Sequence, residues 1–238
     1  FDAGTYDLSE SAGPAGYTAS DWSCTGGQTG TEAKVTLALG DDIPCALPNS
    51  DDTAPLQRIK AVTNNNGGTA LASAWTLTAD GTGTNDISGA GGFDQDVNAD
   101  TYALSESTGP AGYAAGTFSC VKNGGAPVVG ASITLALGDS AVCTINNNDI
   151  APKLTLNKIV INDNGGTALE SAWTLTATGN PATDPATLSG PGAAGNTDVV
   201  SGALFDAGTY DLSESAGPAG YTASAWSCTA GQTGTEAK

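Results

Sequence analysis

Lysine, glutamate and asparagine recur at fixed places in a chain that otherwise offers little reactive chemistry. Side chains on a strand alternate with a period of two, so Leu56, Arg58, Lys60 and Val62 share one face, as do Leu154, Leu156, Lys158 and Val160. The same phase joins Tyr102, Leu104 and Glu106, and further on Cys143, Ile145 and Asn147. An amine, a carboxyl and a carboxamide thus fall on the apolar phase of three strands. Burial favours the neutral, nucleophilic form of an amine and the protonated form of a carboxyl. Such a trio suits one condensation: the amine attacks the carboxamide, the neutral acid polarises the carbonyl and relays protons, and ammonia leaves. The product is an amide between the first and last strands of a domain. The plain alternative is an ordinary Lys60–Glu106 ion pair, or a phase displaced by one residue that leaves the lysine in water.

Other chemistries find no support. The chain has no histidine, so the many serines and threonines lack the partner of a Ser-His-Asp arrangement, and we expect no enzyme and no cofactor. Asn162-Asp163-Asn164-Gly165 and Asp94-Gln-Asp96 look like pieces of Ca²⁺ loops, yet neither ends in the bidentate glutamate such loops need. Turns are the better reading, and no metal site is expected. Trp75 and Trp173 sit at equivalent strand positions before Thr-Leu-Thr, which fits core packing better than a carbohydrate platform.

Five cysteines are spaced Cys24, Cys45, Cys120, Cys143 and Cys228. The similar intervals of the first two pairs predict one disulfide per repeat, Cys24–Cys45 and Cys120–Cys143, with Cys228 the first half of a third pair. With no histidine and no Cys-x-x-Cys the cysteines do not read as metal ligands, so they imply an oxidising compartment, extracellular or at a cell surface. Charge agrees with a solvated exterior: 7 Lys+Arg against 25 Asp+Glu give -18, which repels nucleic acid and anionic membrane surfaces. No apolar run reaches the length of a membrane-spanning helix.

The elements that must position these residues are repeats. Thr5-Tyr6, Thr101-Tyr102 and Thr209-Tyr210 mark three copies, and residues 1–34 differ from 205–238 only at Asp21 against Ala225 and Gly26 against Ala230. Polar stretches ending in Ala-Pro at Pro55 and Pro152 mark boundaries. The expected domains are 1–53, the closing part of a repeat; 54–151, a complete repeat; and 152–238, the opening part of another. Within the complete repeat we expect strands near 56–63, 73–79, 93–98, 101–107, 113–121, 131–137 and 140–147, and Asn-Gly turns at 66, 123 and 164. Seven short alternating strands and no helical period predict an all-β chain of tandem antiparallel β-sandwich domains, arranged as a rod or filament.

The words of the repeat are specific: Leu-x-x-x-Lys, Asn162-Asp-Asn-Gly-Gly-Thr-Ala168, Ala-x-Thr-Tyr-x-Leu-Ser-Glu, Gly-Pro-Ala-Gly-Tyr and Trp-Ser-Cys. Together they resemble the SpaA-like, prealbumin-like-fold repeats of large bacterial surface proteins, which are similar to the B-type domains of collagen adhesins and pilins. The resemblance covers the whole chain. It implies an extracellular β-sandwich stalk whose partners are neighbouring copies of the repeat, and a Lys-Asn isopeptide bond assisted by Glu. Carried over by position, the bond is Lys60 to Asn147 with Glu106; Lys158 with Glu214 lacks its Asn, and Asn49 with Glu10 lacks its Lys. The cysteine pair departs from the Gram-positive pattern and is a second candidate for the mechanical lock. A stretch that binds glycan or host protein directly is the rival reading.

Overall fold

A computed structural model describes residues 2–25, 29–30, 34–181, 183, 185, 187–193 and 199–229. Among the described residues the regular elements are strands, as the alternation requires, and two turns of 3₁₀ helix, with several antiparallel ladders. The chain divides into two compact units. One holds Phe1–Ala61, Ala72–Gly109 and Thr117–Asn146; the other holds Val62–Leu71, Pro110–Gly116 and Asn147–Lys238.

In the first repeat seven short strands form small ladders: β1 (Gly4–Asp7), β2 (Tyr17–Ala19), β3 (Trp22–Cys24), β4 (Thr29–Gly30), β5 (Lys34–Leu37), β6 (Cys45–Ala46) and β7 (Asn49–Asp51). β1 pairs with β5, β2 with β7, and β3 with both β4 and β6. The polar stretch before Pro55 is therefore partly strand, with Asn49 opposite Ala19.

The middle repeat opens with β8 (Ala54–Thr63) and continues through β9 (Thr76–Asp80), β10 (Ile87–Ala90), β11 (Gly92–Val97) and β12 (Asp100–Glu106). It closes with β13 (Tyr113–Ala114), β14 (Ser119–Lys122), β15 (Val128–Val129), β16 (Ser132–Leu135) and β17 (Ala141–Asp149). One sheet runs β10-β9-β12-β16; the other runs β11-β8-β17-β14-β15, with β13 also on β17. Leu56, Leu77, Tyr102, Leu104, Phe118, Leu135, Cys143 and Ile145 belong to one buried core contributed by both sheets. Burial alternates residue by residue along β8 and β17, so each strand shows one face to this core and one away from it.

Four details differ from the sequence reading. Ala72–Ala74 is a turn of 3₁₀ helix ahead of β9, which begins only at Thr76. Two strands were not foreseen, β10 and β15, and the stretch 113–121 is split into β13 and β14. Glycine and alanine in Ile87-Ser-Gly-Ala give β10 little intrinsic strand signal, and it forms because β9 offers it a paired edge. β17 runs on to Asp149, through residues read as the start of a linker.

The third repeat supplies β18 (Thr155–Leu156), β19 (Thr174–Gly179), β20 (Thr187–Pro191), β21 (Val199–Val200) and β22 (Tyr210–Glu214). β19 lies between β20 and β22, and β18 pairs with β21. Leu156, Leu175, Ala177, Val199, Phe205 and Tyr210 form its core. A tyrosine hydroxyl donates to a carbonyl four residues earlier in every repeat: Tyr6 to Asp2, Tyr102 to Asn98 and Tyr210 to Asp206, at 2.6 to 2.8 Å.

Candidate functional site, a buried Lys-Glu pair and its asparagine

β8 carries two cations toward the core, and each is held differently. Arg58 is buried; its guanidinium lies 3.7 Å from the centroid of Phe93 and donates to Leu77 O at 3.0 Å and Ile87 O at 3.3 Å. Burial pulls its pKa down to about 10, which still leaves it charged at neutral pH. The aromatic face and two carbonyls replace part of the lost hydration.

Lys60 lies one inward position further along. Its side chain is fully buried, 0 % exposed, and Nζ stands 2.8 Å from Oε2 of Glu106, itself 11 % exposed. The amine also lies 4.7 Å from the Trp75 ring centroid. Trp75 is held by Gly109 of the Gly-Pro-Ala-Gly-Tyr motif, since any Cβ there would collide with the indole. This explains a glycine that the sequence marked only as part of a motif. Asn147 is 1 % exposed on β17, the strand beside β8 in the sheet, and its Oδ1 accepts from Gly116 N at 3.2 Å.

The flanking repeats hold parts of the same arrangement. In the third, Lys158 Nζ donates to Glu214 Oε2 at 2.5 Å and stands 4.7 Å from the Trp173 ring, which packs over Gly217. In the first, Asn49 Nδ2 donates to Glu10 Oε1 at 2.6 Å. The glutamate is bonded to the lysine in the middle and third repeats and to the asparagine in the first. A carboxyl bonded to an amine, as Glu106 and Glu214 are, is positioned to exchange a proton with it.

The cysteines pair across strands. Cys24 faces Cys45 with an S–S distance of 2.04 Å, and Cys120 faces Cys143 at 2.03 Å, with Cα atoms 4.0 Å apart in each. The second bridge ties β14 to β17, two neighbours in one sheet. It does not tie β17 to β8, so it is no substitute for a bond between first and last strands. Cys228 is half-buried. Among the described residues no three His, Cys, Asp or Glu side chains gather in a way that would hold a metal ion, and no helix is long and apolar enough to cross a membrane.

Residues 1–47, 51–145 and 149–237 match the family described as the prealbumin-like fold domain, SpaA_2. Among solved structures the chain is similar to the major pilin protein T3.2 of Streptococcus pyogenes, at 16 % identity and a TM-score of 0.31. That match covers 59 % of this chain and 64 % of the pilin chain. No curated protein matches.

Proposed function

The chain belongs to the prealbumin-like fold domain family, and we propose that it is a segment of the shaft of an extracellular bacterial filament or giant adhesin. Residues 54–151 are one complete shaft domain, and residues 1–53 and 152–238 are parts of its neighbours. Its work is mechanical. Pulling force enters the middle domain on β8 and leaves on β17, and a covalent bond between these strands carries the load past the sandwich, whose own folding stability is only marginal.

The observation that carries this reading is the buried Lys60 amine at 2.8 Å from Glu106, on the strand next to the one that buries Asn147. In the bond-forming step Glu106 takes a proton from the Lys60 ammonium, and the neutral amine attacks the Asn147 carboxamide carbon. Glu106 then returns its proton to the departing nitrogen and takes the second proton from the attacking Lys60 Nζ. The C–N bond to the carboxamide nitrogen breaks, ammonia leaves, and Lys60 Nζ keeps an amide bond to Asn147. No oxidant and no cofactor is consumed. Enzymatic turnover is not part of this reading, because the reaction happens once per domain.

The test is the intact mass of the denatured, reduced chain. One crosslink lowers the mass by about 17 Da, the ammonia released, and Lys60→Met and Asn147→Ala restore the full sequence mass. A wild-type chain at full mass sinks the crosslink. Binding of glycan or matrix protein by the purified chain, saturable and at one site per repeat, would support the rival adhesin reading.

A further inference from the structure

The Asn-Gly loop at 64–68 does more than turn the chain. Within the compact unit that holds it, Asp149 at the end of β17 is 5 % exposed and accepts from the amides of Asn65 at 3.0 Å, Asn66 at 2.8 Å and Gly68 at 2.8 Å. The Tyr113 hydroxyl accepts from Ala70 N at 2.9 Å and donates to Asn64 Oδ1. A loop tied at both ends in this way presents Asn66 outward from its own repeat. Yet Asn66 is only 3 % exposed, because its Nδ2 donates to Ala203 O at 2.9 Å and Phe205 O at 3.4 Å, while its carbonyl accepts from Ala207 N at 2.8 Å. The receiving loop is the Phe-Asp-Ala-Gly segment of the following repeat, the one held by Tyr210. Gly67 has φ +83°, and a Cβ there would lie 2.7 Å from Ala207 O, so the two backbones meet without room for a side chain.

The third repeat carries the same loop, where Asn164 Nδ2 donates to its neighbour Asp163 Oδ1 at 2.7 Å and, among the described residues, to no loop of another repeat. Asn162 Nδ2 donates to Ala168 O at 3.1 Å, and the Tyr221 hydroxyl donates to Asn162 and accepts from Ala168 N at 3.1 Å. These ties repeat those of Asn64, Ala70 and Tyr113. Asn164, at the position of Asn66, is exposed, and a Cβ on Gly165, φ +82°, would meet no atom within 4 Å. The receiving loops recur too. Asn98-Ala99, held by Tyr102, occupies in the middle repeat the place of Asp206-Ala207, and both residues are exposed.

We infer that this loop is a clip that fixes each repeat to the next, and that Asn164 seats on the Asn98-Ala99 loop of a further middle-type repeat. The partner is a copy of this repeat, recognised by two backbone carbonyls and one amide of the tyrosine-held loop. Because the acceptors are backbone atoms, the clip tolerates the change from Phe-Asp-Ala to Val-Asn-Ala between receiving loops. The clip rests on the tandem-array reading but not on the crosslink, and the two fail separately: the crosslink is read by mass, the clip by amide exchange.

Two chains test it. In residues 1–238, Asn66→Ala should raise the exchange rate of the Ala207 amide at least tenfold, with Asn164→Ala as the silent control. The second chain extends residue 238 by a copy of residues 35–151, which continues the period because Lys238 stands where Lys34 does. There Asn164→Ala should deprotect the amide of the appended copy of Ala99 by a similar factor. Core amides such as that of Leu104, which bonds to Ala131 O, report that each variant still folds. Unchanged exchange at Ala207 in Asn66→Ala, or at the appended Ala99 in Asn164→Ala, overturns the clip.

Discussion

Residues 54–63 and 152–161 are two versions of one strand, and they end up in different states. In the middle repeat the segment is ten residues of β8, paired with β11 on one side and β17 on the other. In the third repeat only Thr155–Leu156 is strand, Ile159 is 80 % exposed and Ile161 72 % exposed. Both segments are rich in β-branched and aliphatic residues, so propensity does not separate them. The difference is the closing strand: β17 lies beside the first, and no counterpart of β17 is among the described residues of the third repeat. A strand of this fold is made by its neighbours rather than by its own sequence. The two lysines inherit the same contrast, with Lys60 at 0 % side-chain exposure and Lys158 at 15 %.

The largest effect should separate these lysines. Lys60→Met removes the proposed covalent closure of the chain between residues 60 and 147, a constraint worth about 4–5 kcal/mol by loop entropy. Lys158→Met breaks only a partly exposed ion pair, worth about 1 kcal/mol or less. Denaturant unfolding of the two variants, followed by Trp fluorescence, gives the ranking. Equal losses would mean that the middle repeat has no closure that the third lacks.

Next in size is the Cys120–Cys143 bridge, which closes a sequence separation of 23 residues. By the same entropy argument, Cys120→Ala with Cys143→Ala should cost about 3 kcal/mol. The loss should appear in unfolding of the middle repeat and leave the Lys60 mass signature intact, because the disulfide ties β14 to β17 and the crosslink ties β8 to β17. Loss of the ammonia signature in the double variant would show that the disulfide is needed to hold Asn147 in place.

Much of this was legible from residue order. Period-two alternation placed Lys60 and Asn147 on the buried face, and the cysteine intervals gave both bridges, because each depends on local phase or on repeat spacing. Cooperation between distant segments was hidden. β10 forms on the edge of β9, although its own residues are poor strand formers. Asn66 reads as an ordinary turn residue because its partners, Asp149 and the Ala203–Ala207 loop, lie far along the chain. The one available signal was that Asn-x-Asn-Gly-Gly recurs with both asparagines kept, at 64 and 66 and again at 162 and 164. A generic turn requires neither.

Acid offers a gentler way to loosen the Asn66 loop. Burial pushes the Asp149 pKa up, but the amides of Gly68, Asn66 and Asn65 outweigh it and hold the carboxyl below its usual range. A carboxyl depressed in the folded state contributes stability that is complete above its unfolded pKa, about 4, and is lost as pH falls through the folded value. Protection of the Gly68 and Ala207 amides, corrected for intrinsic exchange, should therefore hold constant from neutral pH to about pH 5 and decline below about pH 4. Asp149→Asn should flatten that dependence. The matching loop at 162–168 lacks an equivalent of Asp149 among the described residues, and its amides should show no such step.

The smallest effect tests the same two loops through their glycines. Gly67 and Gly165 share φ values of +83° and +82°, so placing a Cβ at either costs about 1 kcal/mol of left-handed backbone strain. Only Gly67 adds a steric term, because its Cβ would press on Ala207 O and N at 2.7 and 2.9 Å. Gly165→Ala should thus cost about 1 kcal/mol and leave amide protection elsewhere unchanged. Gly67→Ala should cost more and deprotect Ala207 as Asn66→Ala does. If both alanines cost the same and Ala207 stays protected in each, the backbones at Gly67 and Ala207 are not in contact, and the loop at 64–68 is a turn like any other.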